Sequence, residues 1–525
     1  MDFLLPPHIP VAEVEWQLVD YSSLFPNTFG GEPKTYDRGQ RWLARYRFEN
    51  LRDADRATLM ALAGQLRGKS NRLWAWDPTN FRRGSFPTSE LLPNNTFANG
   101  TAGWAAGTAG SNWTLSVQGR VARSTRTQVT AVDYALLANP QVTGLVSLAP
   151  YVSRFMVLAG RGSTASGHAI NDVSNAVSGA AQTSLGLLSQ VFVPTTAALQ
   201  PGITSLTNSG ALAGDYLEFP YTSLSRCALV DGGANLLTHS SQIDNAAWTK
   251  AGATVAANAF TAPDGTATAD VLVENTANSA HRVDGPNVAA GATAEDYVFA
   301  VALRDVGRAW AYVQLYSGGG ANSVITYVNL AAGTLGSDTT NGAWTNRVRS
   351  IRPLGNGWHY VMIGGRKPAT DAVVTARIGA ASADLVPSYT GSGSNATAIW
   401  RATVARGLNS VRLVETGASA LPTGTAQTGT SLHLKGLPPS ASGLLLPGDR
   451  FQVGSETKIA TAPLDTDAAG LGFLQFEPAL RAAAADSAPV IIHEPMQKFV
   501  LAESASWPTR PGRFSDFSLV LAEAR

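Results

Sequence analysis

Two glycine-rich stretches and a set of tryptophans are the residues in this 525-residue chain whose types and spacing could do chemistry. "AGQLRGKS" (Ala63–Ser70) is one residue short of a phosphate-cradling loop, with Ala63 where the first glycine belongs. Such a loop needs strand, glycine turn and then a helix N-terminus. Here Gly68, Lys69 and Ser70 follow a helical stripe, whose C-terminal end carries partial negative charge and repels phosphate. "FMVLAGRGSTASG" sets Gly160, Gly162 and Ala165 at dinucleotide spacing, but no apolar helical stripe follows, so it reads as a turn between strands. The seven histidines form no H-x-H or H-x-x-x-H set, and no G-x-S-x-G elbow occurs. No catalytic residue, metal ligand or cofactor is expected. Carboxylates are plentiful, but no segment points to a glycosidase pair.

The aromatics offer a different chemistry. Their faces stack on the apolar faces of sugar rings, while neighbouring Asn and Asp read hydroxyls. Trp104 and Trp113 lie in turn-rich context outside long apolar runs, which marks them as ligand candidates. Trp248, Trp310, Tyr316 and Trp344 complete the candidate set, within a stretch that also holds Tyr312, Trp358, Tyr360 and Trp400. The competing reading is core: Trp310 with Tyr312, and Trp358 with Tyr360, sit at i and i+2 on single strands.

The elements that must position these side chains are mostly strands. In "RWLARYRFENL" Trp42, Ala44, Tyr46 and Phe48 alternate with Arg45, Arg47 and Glu49, the period of a strand with one buried face. "DADRATLMALAGQLRG" switches to a helical stripe of Leu59, Leu62, Ala63 and Leu66, with Asp53 as expected N-cap and Gly68 as left-handed terminator. From about residue 90 to 415 charges thin out, and short β-prone runs alternate with Gly, Asp and Asn turns, the pattern of antiparallel sandwiches. Two similar openings occur there, "ELLPNNTFANGTAGW" from Glu90 and "NLLTHSSQIDNAAW" from Asn235. They imply two related modules in tandem.

The tail reads as a small β-barrel followed by two strands, in the last of which Phe517, Leu519 and Leu521 alternate. A head with few strands and one helix closes no core alone, so head and tail are expected to pair. The resulting fold class is mainly β. A β-sandwich core with one helix and a small β-barrel is formed by both chain ends, with two inserted jelly-roll-like sandwiches. The corresponding segments are 1–89 (core, first half), 90–232 and 233–415 (inserted sandwiches), 416–495 (barrel) and 496–525 (return strands).

Composition bounds the partners. A formal net charge of +1 gives no bulk attraction to a polyanion, so sequence-specific nucleic acid is not expected. The single Cys227 excludes an intrachain disulfide and a cysteine-based metal cluster. No apolar run is long enough for membrane insertion, and the proline-broken start lacks the form of a signal peptide.

"LLLPGDRFQVGSETKIATAPLDTDAAGLGFLQFEPALR" resembles the C-terminal part of distal tail proteins of long-tailed, siphovirus-type bacteriophages. The residues that carry the likeness are Leu445, Gly448, Asp449, Val453 and Gly454 in a hairpin, then Pro478, Leu480 and Arg481 in a turn, then "FVLAE". The head, with "RYRFENL", the helix and "LWAWDP", is similar to the first half of that family's core. The opening at Asn235, with "GNGWHYVMI" and "IWRATVARG", resembles jelly-roll modules of phage tail proteins related to carbohydrate-binding modules.

The resemblance implies a structural, non-enzymatic virion protein of the tail tip, assembled in the host cytoplasm. It implies a homo-oligomeric ring, a hexamer, between the tail tube protein and the hub or baseplate protein, with the tape measure protein as a further partner. Its inserted modules would touch host surface polysaccharide during adsorption, weak single sites gaining avidity from the ring. Two other classes stay open: a tail-associated polysaccharide-degrading enzyme, and a purely structural ring whose insertions only decorate the tip.

Overall fold

The computed structural model describes residues 2–21, 23–25, 34–36, 40–79, 82–106, 113–127, 133–147, 149–159, 168–172, 177–178, 186–194, 196–205, 213–408, 411–421, 426–467, 470–508 and 515–524. The protein is mainly β, and both chain ends meet in one six-stranded sheet. Its order is Asp2–Leu4, Arg72–Trp76, Met496–Leu501, Ser515–Glu523, Gln40–Leu51, Glu13–Asp20. The strands of the tail therefore lie in the middle of the sheet, flanked on both sides by strands of the head.

Alternation decides which face is buried. Trp42, Ala44, Tyr46 and Phe48 are inside while Arg45 and Arg47 are exposed. From the last strand Phe517, Leu519 and Leu521 join them. The helix Asp53–Leu66 lays Leu59, Leu62 and Leu66 on the same core. Two cap expectations are corrected. Asp53 is the first helical residue, because Arg52 is the one with extended backbone, and it offers no side-chain cap. At the other end Arg67 already turns left-handed (φ 47°) one residue before Gly68 (φ 65°), its N–H closing on Gly64 O.

A closed barrel joins Ala228–Val230, Gln427–Lys435, Gly472–Ala484, Glu456–Ala460, Arg450–Val453 and Pro489–Ile491. Its first strand comes from between the two sandwiches. The expected tandem insertion is thus corrected: after the first module the chain returns to the barrel for one strand, and then leaves again. Leu229 pairs with Lys435 on one side and with Pro489 on the other, so that strand closes the ring of hydrogen bonds.

Each sandwich is two sheets around its own core. The first packs Phe97, Trp104, Trp113, Phe155, Leu188, Leu217 and Phe219 between two five-stranded sheets. The second packs Trp248, Phe299, Val313, Leu315, Trp344 and Ile363 between a seven-stranded and a six-stranded sheet.

The repeated opening has one structural meaning in both modules. The Glu90 carboxylate accepts from Leu92 N–H (2.9 Å) and, across the module, from Leu224 N–H (2.9 Å). The Asn235 amide oxygen accepts from Leu237 N–H and Val404 N–H, both at 3.1 Å. In each copy the first Leu donates its N–H to the exit strand, Leu91 to Leu224 O (2.9 Å) and Leu236 to Val404 O (2.7 Å). Two residues past the second Leu, left-handed Asn94 (φ 57°) and His239 (φ 51°) offer their carbonyls to the indole N–H of Trp104 and Trp248. The motif is a clasp that ties the entry of a sandwich to its exit and plugs the core with a tryptophan.

Candidate functional site: an outer sheet face of the second sandwich

The strand Trp310–Ser317 reads W-A-Y-V-Q-L-Y-S. Ala311, Val313 and Leu315 point into the sandwich core. Trp310, Tyr312, Gln314 and Tyr316 therefore point out of the other face, because successive side chains alternate. Register places Tyr327 of Asn322–Asn329 beside Tyr312 on one flank, and Gly379 and Arg377 of Val373–Ala381 beside Tyr312 and Gln314 on the other. Next along lies Asp284, paired with Arg377.

The Arg377 guanidinium organises this face. It donates through Nε to the Asp284 carboxylate and through Nη1 to Gln314 Oε1 (3.0 Å), and it lies 4.6 Å from the centre of the Tyr316 ring. Burial works against the Arg377 charge, but the bond to Asp284 outweighs it and holds the guanidinium more firmly protonated than usual. Tyr312 lies flat over Gly379, where a Cβ would stand only 2.3 Å from the ring, and its centroid is 5.7 Å from that of Tyr327. Burial pushes the Tyr312 phenol up to about 12, against the pull of Arg377, so it stays a neutral hydroxyl. Half-buried Tyr316 and Trp310 form the accessible aromatic surface.

The sandwich's other outer face is built differently. Against the six-stranded sheet the chain lays apolar residues from outside it: Ala262 at one end, beside Phe260 of the edge strand, and Leu408, Val411 and Leu471, which precedes the barrel strand Gly472–Ala484, at the other. Among the described residues, the apolar patch on the candidate face draws on the sheet itself, with Tyr312, Tyr327 and Ala381 flanked by Trp310 and Ile325. In the first sandwich, the sheet containing Tyr151–Ala159 and Tyr216–Arg226 spends its outer face on docking, with Met156 and Tyr221 against Leu4, Trp74 and Met496.

Four of the six sequence-picked aromatics are corrected by burial. Trp104 (6 % exposed), Trp113 (4 %), Trp248 (1 %) and Trp344 (4 %) are core residues with no ring face left for a ligand. Turn-rich context misled for Trp104 and Trp113: each is the first residue of a strand, Trp104–Ala105 and Trp113–Gln118, and its ring packs into the sandwich core. Trp358, Tyr360 and Trp400 are buried as well. Trp310 and Tyr316 share the candidate face. Gln314, Asp284 and Arg377 were not singled out by sequence, and Tyr312 was named only as a core partner of Trp310, although alternation of aliphatic and aromatic-or-polar residues over 310–317 is the signal that places Tyr312 and Gln314 outward.

Of the glycine-rich motifs, Gly64 lies in the helix and Lys69 and Ser70 follow its C-terminus, so no phosphate-binding turn forms. Gly160, Gly162 and Ala165 lie outside the described residues.

The chain matches no family profile and no curated protein. Among solved structures, it is similar to the tandem CBM22 domains of Paenibacillus barcinonensis Xyn10C. That match has 14% identity and a TM-score of 0.21, and covers 62% of this chain and 99% of that one. It is also similar to the enzymatically active domain of tailspike protein 4 of bacteriophage CBA120, with 14% identity and a TM-score of 0.22. That match covers 33% of this chain and 21% of that one, so the chain spans about a fifth of the tailspike domain's length. Neither similarity bears on what this chain binds.

Proposed function

We propose that this chain is a structural protein of a bacteriophage tail tip, of the distal tail protein kind. In this reading the core sheet and barrel form a homo-oligomeric ring, a hexamer, between tail tube and hub, and the second sandwich binds host surface polysaccharide. The observation that carries the binding half is the outer face around Arg377. It combines ring surface from Tyr316 and Trp310 with a guanidinium, a carboxylate and an amide, donors and acceptors for sugar hydroxyls. The scaffold half rests on the resemblance at the two chain ends and on their shared sheet. Tail tube, hub and tape measure proteins are its proposed partners, and the chain acts without enzymatic turnover.

The test uses the full chain on purified host surface polysaccharide. Wild type should bind, and Tyr316→Ala should weaken binding about tenfold, the loss of one stacking contact, with the fold unchanged. Equal binding by the variant, or none by wild type, overturns the glycan reading. Release of oligosaccharides would replace it with the enzyme reading. Negative-stain images of the same preparation should show rings; a monomer at micromolar concentration counts against the scaffold half.

A further inference from the structure

The two copies of the opening clasp differ at one position in a way that points to a ligand. In the second copy the residue is an amide, and both of its ends are used: besides its acceptor bonds, Asn235 Nδ2 donates to Ala402 O (2.9 Å) and Val414 O (2.7 Å). In the first copy the same position is Glu90. Its Oε1 does the clasp's work on Leu91, Leu92 and Leu224 N–H, while its Oε2 is buried with no hydrogen-bond partner among the described residues. A buried carboxylate oxygen without a partner costs several kcal/mol, so a carboxylate in place of an amide needs a cause.

The cause stands opposite. His493 Nε2, also buried and without a hydrogen-bond partner among the described residues, lies 3.9 Å from Glu90 Oε2. The Glu494 carboxylate completes a set whose ligand atoms all fall within 4.8 Å of one another. Glu494 Oε2 accepts from the Tyr221 hydroxyl at 2.8 Å. Arg154, wholly buried, holds the segment in place: Nη1 donates to Glu494 O (3.1 Å) and Nη2 to His493 O (3.2 Å), Tyr221 Oη and Ser223 Oγ. Beside the set lies a cleft of about 500 Å³ lined by Trp76, Asp77, Arg82, His493 and Glu494.

We infer that Glu90, His493 and Glu494 form a binding site for a single divalent transition-metal cation, Zn²⁺ or Mn²⁺ in type, that ties the first sandwich to the barrel's exit. One imidazole and two carboxylates suit such an ion better than Ca²⁺, which takes an all-oxygen shell. Arg154, bound to the backbone carbonyls of His493 and Glu494, already offsets part of the negative charge here, so the ion is held by coordination rather than by surplus negative charge, and micromolar affinity is expected.

Full-length protein stripped with a chelator is titrated with ZnCl2 and, separately, MnCl2 and CaCl2 by calorimetry. One Zn²⁺ per chain is expected, with binding weakened at least tenfold by His493→Ala and by Glu90→Gln. Glu90→Gln restores the amide that Asn235 uses, so it folds even where His493→Ala does not. Its melting temperature should exceed wild type without metal and fall below wild type in saturating Zn²⁺. No Zn²⁺ binding by wild type, or binding that Glu90→Gln leaves unchanged, overturns the site.

Discussion

Glu274 shows what one side chain can carry in this fold. Burial alone would raise its carboxyl, but Arg308, the Tyr389 hydroxyl and Ser392 N–H outweigh it and bring it from 4.5 down to about 2. That depression corresponds to about 3 kcal/mol of stability at neutral pH. Because the folded value lies below the unfolded one, the stabilisation is complete above about pH 4.5 and is lost as pH falls toward 2. Glu274→Gln should therefore speed amide exchange in Ala269–Glu274 and Ser388–Thr390 at pH 7, with a gap from wild type that narrows at pH 3. An equal gap at both pH values would assign the effect to packing instead. Cys227 makes a second case. Burial pushes its thiol up, and Val152, Leu229 and Ile491 enclose it at the joint of first sandwich and barrel. Iodoacetamide should leave it unmodified in the native chain and label it fully in denaturant; rapid native labelling would show that this joint opens.

At the scale of elements, the hairpin residue Asp449 proves to be a splice between distant segments. Fully buried, it accepts from Arg83 N–H (2.6 Å), Gly84 N–H (2.8 Å) and Leu446 N–H (2.9 Å), pinning the linker from the head onto the barrel. Gly84 is required there, since a Cβ would stand 2.2 Å from Leu444 O. Asp449→Ala leaves three part-buried donors without their acceptor and should cost about 3 kcal/mol. The expected signature is lost exchange protection in Arg450–Val453 and Glu456–Ala460, with the second sandwich unaffected. Arg481 plays a similar part, donating from one nitrogen to Glu523 in the last strand (2.7 Å) and to Gln40 O (3.1 Å). Asp449 and Arg481, two of the residues behind the resemblance at this end, are thus joints between head, barrel and tail.

For the whole molecule, the order of strands decides what can be removed. Asn235 and Leu421 exchange backbone hydrogen bonds of 2.9 and 2.8 Å, so the second sandwich enters and leaves at one point. Replacing residues 237–419 by a short flexible linker should leave a folded core and barrel, measured as retained protection in Gln40–Leu51 and Ser515–Glu523. Deleting residues 496–525 removes the two middle strands of the core sheet and should abolish folding of the head. A soluble, protected head in that truncation would mean the ends fold independently, and the scaffold reading would go with it.

Period-two runs such as Arg41–Leu51, the helical stripe at Leu59, Leu62 and Leu66, and the doubled Leu-Leu opening were legible in the amino-acid sequence. Each is set by neighbours a few residues apart, or by two copies of one phrase. The mainly β class, one helix and two modules between matched ends follow from them. What tertiary structure decided is which side of a strand meets a partner. That choice sent Trp104, Trp113, Trp248 and Trp344 inward and left Tyr316 with Arg377 outside. It also placed Ala228–Val230 in a barrel more than two hundred residues away in the chain from its neighbour Pro489, and set Glu90 against His493. Burial and ligand geometry are properties of contacts between segments far apart in the chain, and no local pattern of residues encodes them.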